Sequence, residues 1–360
     1  MKYAVDKKSA ESAYMQLYRQ ISADIASGAV PPGGRLPSKR MLALEAGVSV
    51  ITVEHAYSML CDEGYAEAKE KSGYFALNSP GAVPVKRVSI ESMSVPELPD
   101  DFPFSLMAKT MRSVLSRYDR KILAKPEGSG CLELRSALSE YLERARAIKA
   151  SPEQIIIGSG AEYLYSLVLP LLGRERTVAL EDPSYEKIRR VYELCGAEIA
   201  LLPLGEDGIE SKSLNECRAG ILHVTPYHSY PSGVTATAKK RRDYTLWAEK
   251  NDAYIIEDDY DSEFSPADAG TLFSLSPGRV IYVNTFSKSI APSIRTGYMV
   301  LPEALVEVFQ EKLGFLSCTV PLFEQLVLSE FISQGHMERC INRRRRKLAR
   351  ENKNCSQNIS

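Results

Sequence analysis

Residues 285–298 read TFSKSIAPSIRTGY and follow directly on the apolar run RVIYVN, residues 279–284. The stretch sets Lys288 between Ser287 and Ser289, with Arg295 seven positions further on. A lone lysine is ordinarily a solvated side chain, so its meaning depends on what the rest of the chain delivers to the same place. Outward from it, short strand-like runs recur: QIII (154–157), TVAL (177–180), EIALL (198–202), GILHV (220–224), AYIIE (253–257), VIYV (280–283) and YMVL (298–301). Polar loops or helical stretches such as TAKKRRDYTLWAEKN (237–251) separate most of them. This alternation predicts an open, largely parallel α/β sheet, in which ligands gather beyond the carboxyl ends of the strands.

Four of these runs are followed at once by polar groups. After QIII comes GSGAEYLYSL, in which Gly158, Ser159 and Gly160 open a helix and aim backbone N–H groups outward, an arrangement suited to phosphate. After TVAL, EDPSY turns at Pro183 and presents Tyr185; after AYII, EDDYDSEF presents Asp258, Asp259 and Tyr260. Past VIYV stand Thr285, Ser287, Lys288 and Arg295. Taken singly, each has a plainer meaning. GSGAE lacks the third glycine of a dinucleotide fingerprint, and EDDYDSE, which could be a solvated turn or a hard-cation site, lacks the glycine and spacing of an EF-hand loop. No metal site is assigned.

Together the groups match what pyridoxal phosphate demands: an amine for its aldehyde, a carboxylate for its pyridine nitrogen, an aromatic face, and an anion site. Lys288, Asp258, Tyr185, and the Ser159/Gly160 helix start with Arg295 fill these roles in turn. Arg295 suits phosphate because its planar fork donates two hydrogen bonds at once.

The N-terminal part is organised differently. Tyr14, Leu17, Tyr18, Ile21 and Ile25 keep helical spacing up to Gly28. Ser38 caps a short helix over KRMLALEA, Gly47 permits a tight turn, and Ser49 caps a third helix with Val53, Ala56, Tyr57 and Leu60 on one face. YAEA and GYFAL follow as strand-like pieces around KEKS. This predicts a winged helix-turn-helix over 1–78, a Pro- and Ser-rich linker over 79–101, and the α/β domain over 102–360.

Composition sets the outer bounds. With 360 residues, 44% hydrophobic and 25% charged, the chain reads as a soluble protein of two or three domains with a large core. The seven cysteines, Cys61, Cys131, Cys195, Cys217, Cys318, Cys340 and Cys355, form no C-x-x-C pair and read as reduced thiols. No apolar run approaches the ~18 residues of a membrane span, and MKYAVDKKSAESAY lacks the apolar stretch of a signal peptide. A cytoplasmic location is expected. Net charge is −1, and residues 1–80 hold nine Lys or Arg against nine Asp or Glu, so any nucleic-acid binding must come from a local face.

TFSKSIAPSIRTGY, IIEDDYDSEF, TPYHSYPSG and EDPSY resemble the fold-type I aminotransferase core, and LPSKRMLALEAGVSVITVEHAYSMLCDEGY resembles the GntR winged helix. The fusion resembles a MocR-type regulator of the GntR family. The resemblance implies that Lys288 forms the Schiff base, Asp258 partners the pyridine nitrogen, and Tyr260 donates to the phenolic oxygen of the ring. It places Tyr185 on the ring and Thr285, Ser159, Gly160, Ala161 and Arg295 at the phosphate, with Ser287 in the same set. Tyr230 precedes Pro231-Ser232-Gly233, as an aromatic residue does in MocR-type proteins. On the DNA side it assigns Ser49 and Thr52 to phosphate contact, Ser38 and Arg40 to the LPSxRxLA motif, and Lys69 and Lys71 to the tip of the wing. Val50 stands where GntR proteins commonly carry an arginine. Implied partners are double-stranded promoter DNA, a small amine or amino-acid effector and a second copy of the chain. MocR-type proteins resemble INRRRRKLARENKNCSQNIS (341–360) at the start of a long helix, then continue into a smaller domain that closes over the cofactor; here that domain is expected to be missing. RRRRK (343–347) then reads as a solvated helix face, ENKNCSQNIS as a tail, and transaminase turnover is expected to be poor. The competing readings are an aminotransferase with a vestigial DNA module and an inactive truncated remnant.

Overall fold

The structure, a computed structural model, describes residues 3–6, 9, 11–69, 72–77, 102–259, 262–264 and 270–357. The linker expected over 79–101, and the candidates Lys71 and Tyr260, lie outside the described residues. The chain divides into two compact units, Met1–Val95 and Pro96–Ser360.

In the first unit, α1 (Ala13–Ala26), α2 (Lys39–Ala46) and α3 (Val50–Asp62) are followed by β1 (Ala66–Lys69) and β2 (Gly73–Ala76), paired antiparallel with Ala66 opposite Ala76. Local chemistry sets the boundaries. The Ser38 side chain accepts from the Met41 amide at 3.2 Å and that of Ser49 from the Thr52 amide at 3.1 Å, each satisfying one orphan donor of a first turn. Between the two helices Gly47 takes the left-handed conformation (φ 64°), which glycine adopts without a Cβ clash. Leu17, Ile21, Leu42, Val53, Tyr57 and Leu60 are fully buried, each contributing about 1.5–3 kcal/mol of burial. Tyr57 satisfies its hydroxyl by donating to the Pro37 carbonyl at 2.7 Å. These elements are the expected winged helix-turn-helix.

The second unit opens with α4 (Phe104–Tyr118) and α5 (Leu132–Arg146), then alternates: β3 (Ile155–Gly158), α6 (Ala161–Leu172), β4 (Val178–Asp182), α7 (Glu186–Leu194) and β5 (Ile199–Gly205). Next come β6 (Gly208–Ile209), α8 (Ser211–Glu216), β7 (Ile221–Val224), α9 (Ala238–Lys250), β8 (Tyr254–Asp258) and α10 (Leu272–Leu275). It ends with β9 (Val280–Thr285), α11 (Phe286–Ser289), β10 (Gly297–Val300), α12 (Ala304–Leu313), α13 (Leu322–Ser333) and α14 (His336–Gln357). The strands form one eight-stranded sheet in the order β3-β10-β9-β8-β7-β4-β5-β6. Both faces are covered. Ile155 and Ile157 pack into one apolar cluster with residues of α5, α9 and α13, while Ile156 packs into another with residues of α6 and α12, as the period of two in a strand requires.

β4, β5, β7, β8 and β9 run parallel to their neighbours in this set, but β10 is antiparallel to both β3 and β9. Its reversal follows from the short connection, since residues 286–296 provide no crossover long enough for a parallel return. Gly297 lies opposite Thr285, and a Cβ there would stand 3.0 Å from the Asn284 carbonyl oxygen and 3.0 Å from Thr285 Cγ2. The hairpin therefore returns the chain to the edge at which β9 ends.

α14 departs from expectation in two ways. It continues to Gln357, because no glycine or proline interrupts residues 336–357 and Arg, Lys, Leu and Glu are good helix formers. Nor is RRRRK uniformly solvated. The Arg344 guanidinium donates to the Lys288 carbonyl and lies 5.3 Å from the Phe264 ring centroid, and Arg345 Nε donates to the Glu263 carbonyl at 2.5 Å. Arg343 and Arg346 are exposed. Among the described residues no helix is long and apolar enough to cross a membrane.

Candidate functional site

At the carboxyl edge of the sheet lies a cavity of about 480 Å³. Its walls come from separate strand ends: Ala161 begins the helix after β3, Tyr185 follows β4, Thr225 follows β7, Asp258 ends β8, Thr285 ends β9, and Lys288 lies in α11. Tyr165, Ile188 and Tyr230 complete the lining. A second hollow of about 160 Å³ shares Ala161, Tyr165, Tyr185, Thr285 and Lys288, and adds Glu162, Lys187, Ser287 and Arg295. Seven of the sequence-derived candidates, Ala161, Tyr185, Asp258, Thr285, Ser287, Lys288 and Arg295, thus meet in one crevice.

Ser159 and Gly160 stand behind it. The Ser159 amide donates to Thr319 Oγ1 at 3.0 Å and the Gly160 amide to the Gly158 carbonyl at 2.9 Å, so both amides already have acceptors. Gly160 has φ 92°, and a Cβ there would meet Arg295 Nη2 at 2.9 Å. Glycine is required for the guanidinium to approach the start of α6, where first-turn amides have no intrahelical acceptor. Arg295 Nη2 is also 3.0 Å from Glu162 Oε2, and Lys187 Nζ is 3.8 Å from Glu162 Oε1. Arg295, Lys187 and Lys288 outweigh Glu162, leaving a cup of positive charge suited to a phosphate dianion.

The opposite end is buried and acidic. Asp258 is buried and its Oδ2 accepts from the Tyr165 hydroxyl at 2.6 Å. His223 Nε2 lies 3.9 Å from the same oxygen, and Nδ1 shares a 2.9 Å hydrogen bond with the Tyr192 hydroxyl. Burial, and after it the Asp258 charge, raises the phenols of Tyr165 and Tyr192 well above their ordinary range. Asp259 has a different use: its Oδ2 lies 2.6 Å from Arg146 Nη2 and 2.5 Å from the Tyr282 hydroxyl. The acidic pair in EDDYDSEF thus separates into one carboxylate facing the cavity and one tied into the core.

Tyr185 and Tyr230 meet edge to face across the mouth, with centroids 5.7 Å apart and planes at 83°. The segment that carries Tyr230 is tethered by Glu181, whose Oε2 accepts from Ser229 Oγ at 2.7 Å and from the Thr225 amide at 3.2 Å. Burial pushes this carboxyl up to about 7, against the two hydrogen bonds that lower it.

Sequence reading passed over Tyr165, Thr225, Ile188, Lys187, Glu162 and His223. Tyr165 had a signal: it stands four positions after Ala161, on the same helical face. His223 sits inside a buried strand, and no local pattern marks its approach to Asp258.

On the first unit Ser38, Arg40, Ser49 and Val50 are exposed at the N-terminal ends of α2 and α3, and Thr52 is half-buried. Ser38 and Ser49 use their side chains as caps, and the Ser49 and Thr52 hydroxyls share a 2.9 Å hydrogen bond. Lys39 pairs with Glu54 of α3 at 2.7 Å. Lys69 ends β1 and opens the hairpin turn, its carbonyl accepting from the Ser72 amide at 3.0 Å; its ammonium pairs with Glu67 at 2.9 Å and lies 4.9 Å from the Phe75 ring centroid.

Comparison with known proteins gives the same division. Residues 13–75 match the family described as bacterial regulatory proteins, gntR family, and residues 97–359 match aminotransferase class I and II. The chain is 34% identical over 351 residues to the uncharacterized HTH-type transcriptional regulator YdeL of Bacillus subtilis, covering 92% of this chain and 76% of that one. It is 34% identical over 345 residues to the HTH-type pyridoxine biosynthesis transcriptional regulator PdxR of Corynebacterium glutamicum, covering 92% and 75%. Among solved structures it is similar to an archaeal alanine:glyoxylate aminotransferase, with a TM-score of 0.61, 25% identity, and 67% of this chain and 62% of that one covered. The fold is shared with the Pyrococcus horikoshii kynurenine aminotransferase, with a TM-score of 0.63, 24% identity, and coverage of 75% and 73%. The chain therefore spans under two thirds of the first of these enzymes and about three quarters of the two regulators. With both family matches in one chain and two regulators at 34% identity, the chain belongs to the MocR-type transcriptional regulators, in which a GntR helix-turn-helix domain is joined to an aminotransferase class I and II domain.

Proposed function

We propose that this regulator binds promoter DNA through α2, α3 and the β1–β2 wing, and uses the crevice of its second unit to hold pyridoxal phosphate and sense a small amine or amino acid. The observation that carries the reading is that Asp258, at the end of β8, and Lys288, in α11 just past the adjacent β9, line the same cavity. When bound, the cofactor supplies an aldehyde for an amine and an electron-withdrawing pyridine ring. Lys288 is the amine in the cavity, Asp258 the carboxylate for the ring nitrogen, and Tyr185 the aromatic wall. Ala161, Thr285, Ser287 and Arg295, backed by Ser159 and Gly160, form the phosphate cup. Tyr260 belongs to the same proposal as a donor to the phenolic oxygen.

For DNA, the exposed Arg40 and the capped starts of α2 and α3 at Ser38, Ser49 and Thr52 supply phosphate contacts. Val50 offers an apolar contact of the kind that reads a thymine methyl. Lys69 and Lys71 act from the wing. Two-fold pairing of chains fits an operator with two half-sites. The division at 1–78, 79–101 and 102–360, with the middle segment as linker, and a cytoplasmic location belong to the same reading.

The test uses the purified full chain. Added pyridoxal phosphate gives the absorbance of a lysine-bound form that Lys288→Ala abolishes, and the protein binds promoter DNA with an affinity that falls steeply with salt. Multiple turnovers on an amino donor, together with no DNA binding at low salt, overturn the reading in favour of an enzyme.

A further inference from the structure

We propose that Tyr165 is a positioning residue that shares Asp258 with the pyridine nitrogen and so restrains the electron-withdrawing power of the cofactor ring. The inference rests on the crevice being a pyridoxal phosphate site. Tyr165 and Asp258 both line the cavity, 93 positions apart in sequence, and the phenol donates to Oδ2 at 2.6 Å. A carboxylate has two acceptor oxygens. One is engaged by a fixed protein donor, and the negative charge that would hold a proton on the ring nitrogen is divided between two partners.

The phenol has little freedom to leave. Its ring meets His223 edge-on at 4.9 Å and 79° and lies 6.3 Å from the Tyr192 ring at 28°, all three being buried. His223 does not substitute for it, since Nε2 is 3.9 Å from Oδ2 and, among the described residues, has no hydrogen-bond partner. Among the described residues, Tyr165 is the side chain that donates to Asp258. Its raised phenol stays protonated through the neutral range, so the donor is permanent. With less positive charge held at the ring nitrogen, the Cα–H of a bound amine stays less acidic. The crevice can then retain an amine without transforming it, which suits a sensor.

The experiment uses the full chain loaded with pyridoxal phosphate isotopically labelled at the ring nitrogen. Tyr165→Phe keeps the ring packing and removes only the donor. The expected result is a nitrogen resonance displaced toward the protonated form. A ring nitrogen that holds its proton more firmly draws electrons from the imine, so the pH midpoint of the lysine-bound absorbance falls by roughly half a unit or more. Asp258→Asn is expected to move the resonance the other way. If Tyr165→Phe leaves both readouts at wild-type values while Asp258→Asn moves them, the proposal is overturned and Tyr165 is a packing residue. Should Tyr165→Phe fail to fold, fluorotyrosine at the same position, a stronger donor of nearly the same shape, shifts both readouts oppositely, and no shift overturns the proposal. A wild-type protein in which borohydride fixes no cofactor to Lys288 ends both this inference and the reading beneath it.

Discussion

On the first unit, Ser38, Arg40, Ser49, Val50 and Lys69 stand exposed above a core built from Leu17, Ile21, Tyr57 and Leu60. In the second, Asp258, His223 and Glu181 are themselves buried among the strand ends, Asp258 accepting from Tyr165 and Glu181 from Ser229 and Thr225. Apart from the caps Ser38 and Ser49, the exposed candidates on the winged helix are therefore separable from what holds it together. In the crevice Lys288, Arg295 and Tyr185 are exposed as well, but Asp258 is buried, so a change of charge at that end is also a change of stability.

The largest expected effect is on pH. Burial holds Glu181 and Glu263 near 7, above the ordinary 4.5 of a free glutamate. Between those values the folded unit binds protons that the unfolded chain has released. Stability is then full below about pH 4.5 and declines as pH rises through 7, by on the order of 3 kcal/mol for each group. Trp247 is the one tryptophan of the chain and lies in α9, so its fluorescence follows the second unit. Urea midpoints read by Trp247 should fall from pH 5 to pH 8, and Glu181→Gln or Glu263→Gln should flatten the fall. A midpoint that rises over this range breaks the contrast between the units.

Next in size, Arg40→Ala should weaken DNA binding roughly tenfold and lower the slope of log affinity against log salt by about one. Cofactor absorbance should not change. Filter binding across a salt series checks this, and an unaltered slope removes Arg40 from the interface. The smallest effect is at a cap: Ser49→Ala should cost the first unit about 1 kcal/mol, read by far-UV circular dichroism of the helices. A matching shift in the Trp247 transition would show that the units do not respond separately.

Much of this was legible because it is written locally. Ser38, Gly47 and Ser49 punctuate the winged helix through bonds that reach only a few residues, and the apolar runs mark most strand ends to within a residue or two, β5 running three residues past EIALL. The crevice was partly legible because every parallel strand ends at the same edge, so groups far apart in sequence were expected together. What escaped notice depends on contacts between distant segments. Tyr165 meets Asp258 across 93 positions and Arg344 meets Lys288 across 56, distances over which periodicity carries no information. The direction of β10 escaped for a related reason, since YMVL reads alike in either orientation. Lys69 and Glu67, two apart on one strand face, could have been paired from spacing alone.

The β9–β10 hairpin also acts as a gauge. Lys288 lies just past Thr285 and Arg295 just before Gly297, and those two strand residues face each other in register. A slip of one residue would displace one arm by about 3.4 Å relative to the other, and Gly297 leaves no space for such a slip without losing its close fit to Asn284 and Thr285. The backbone points from which the amine and the guanidinium extend are therefore held close to a fixed strand pairing. On the proposed reading, a phosphorylated aldehyde in the crevice is then measured by length as well as by charge.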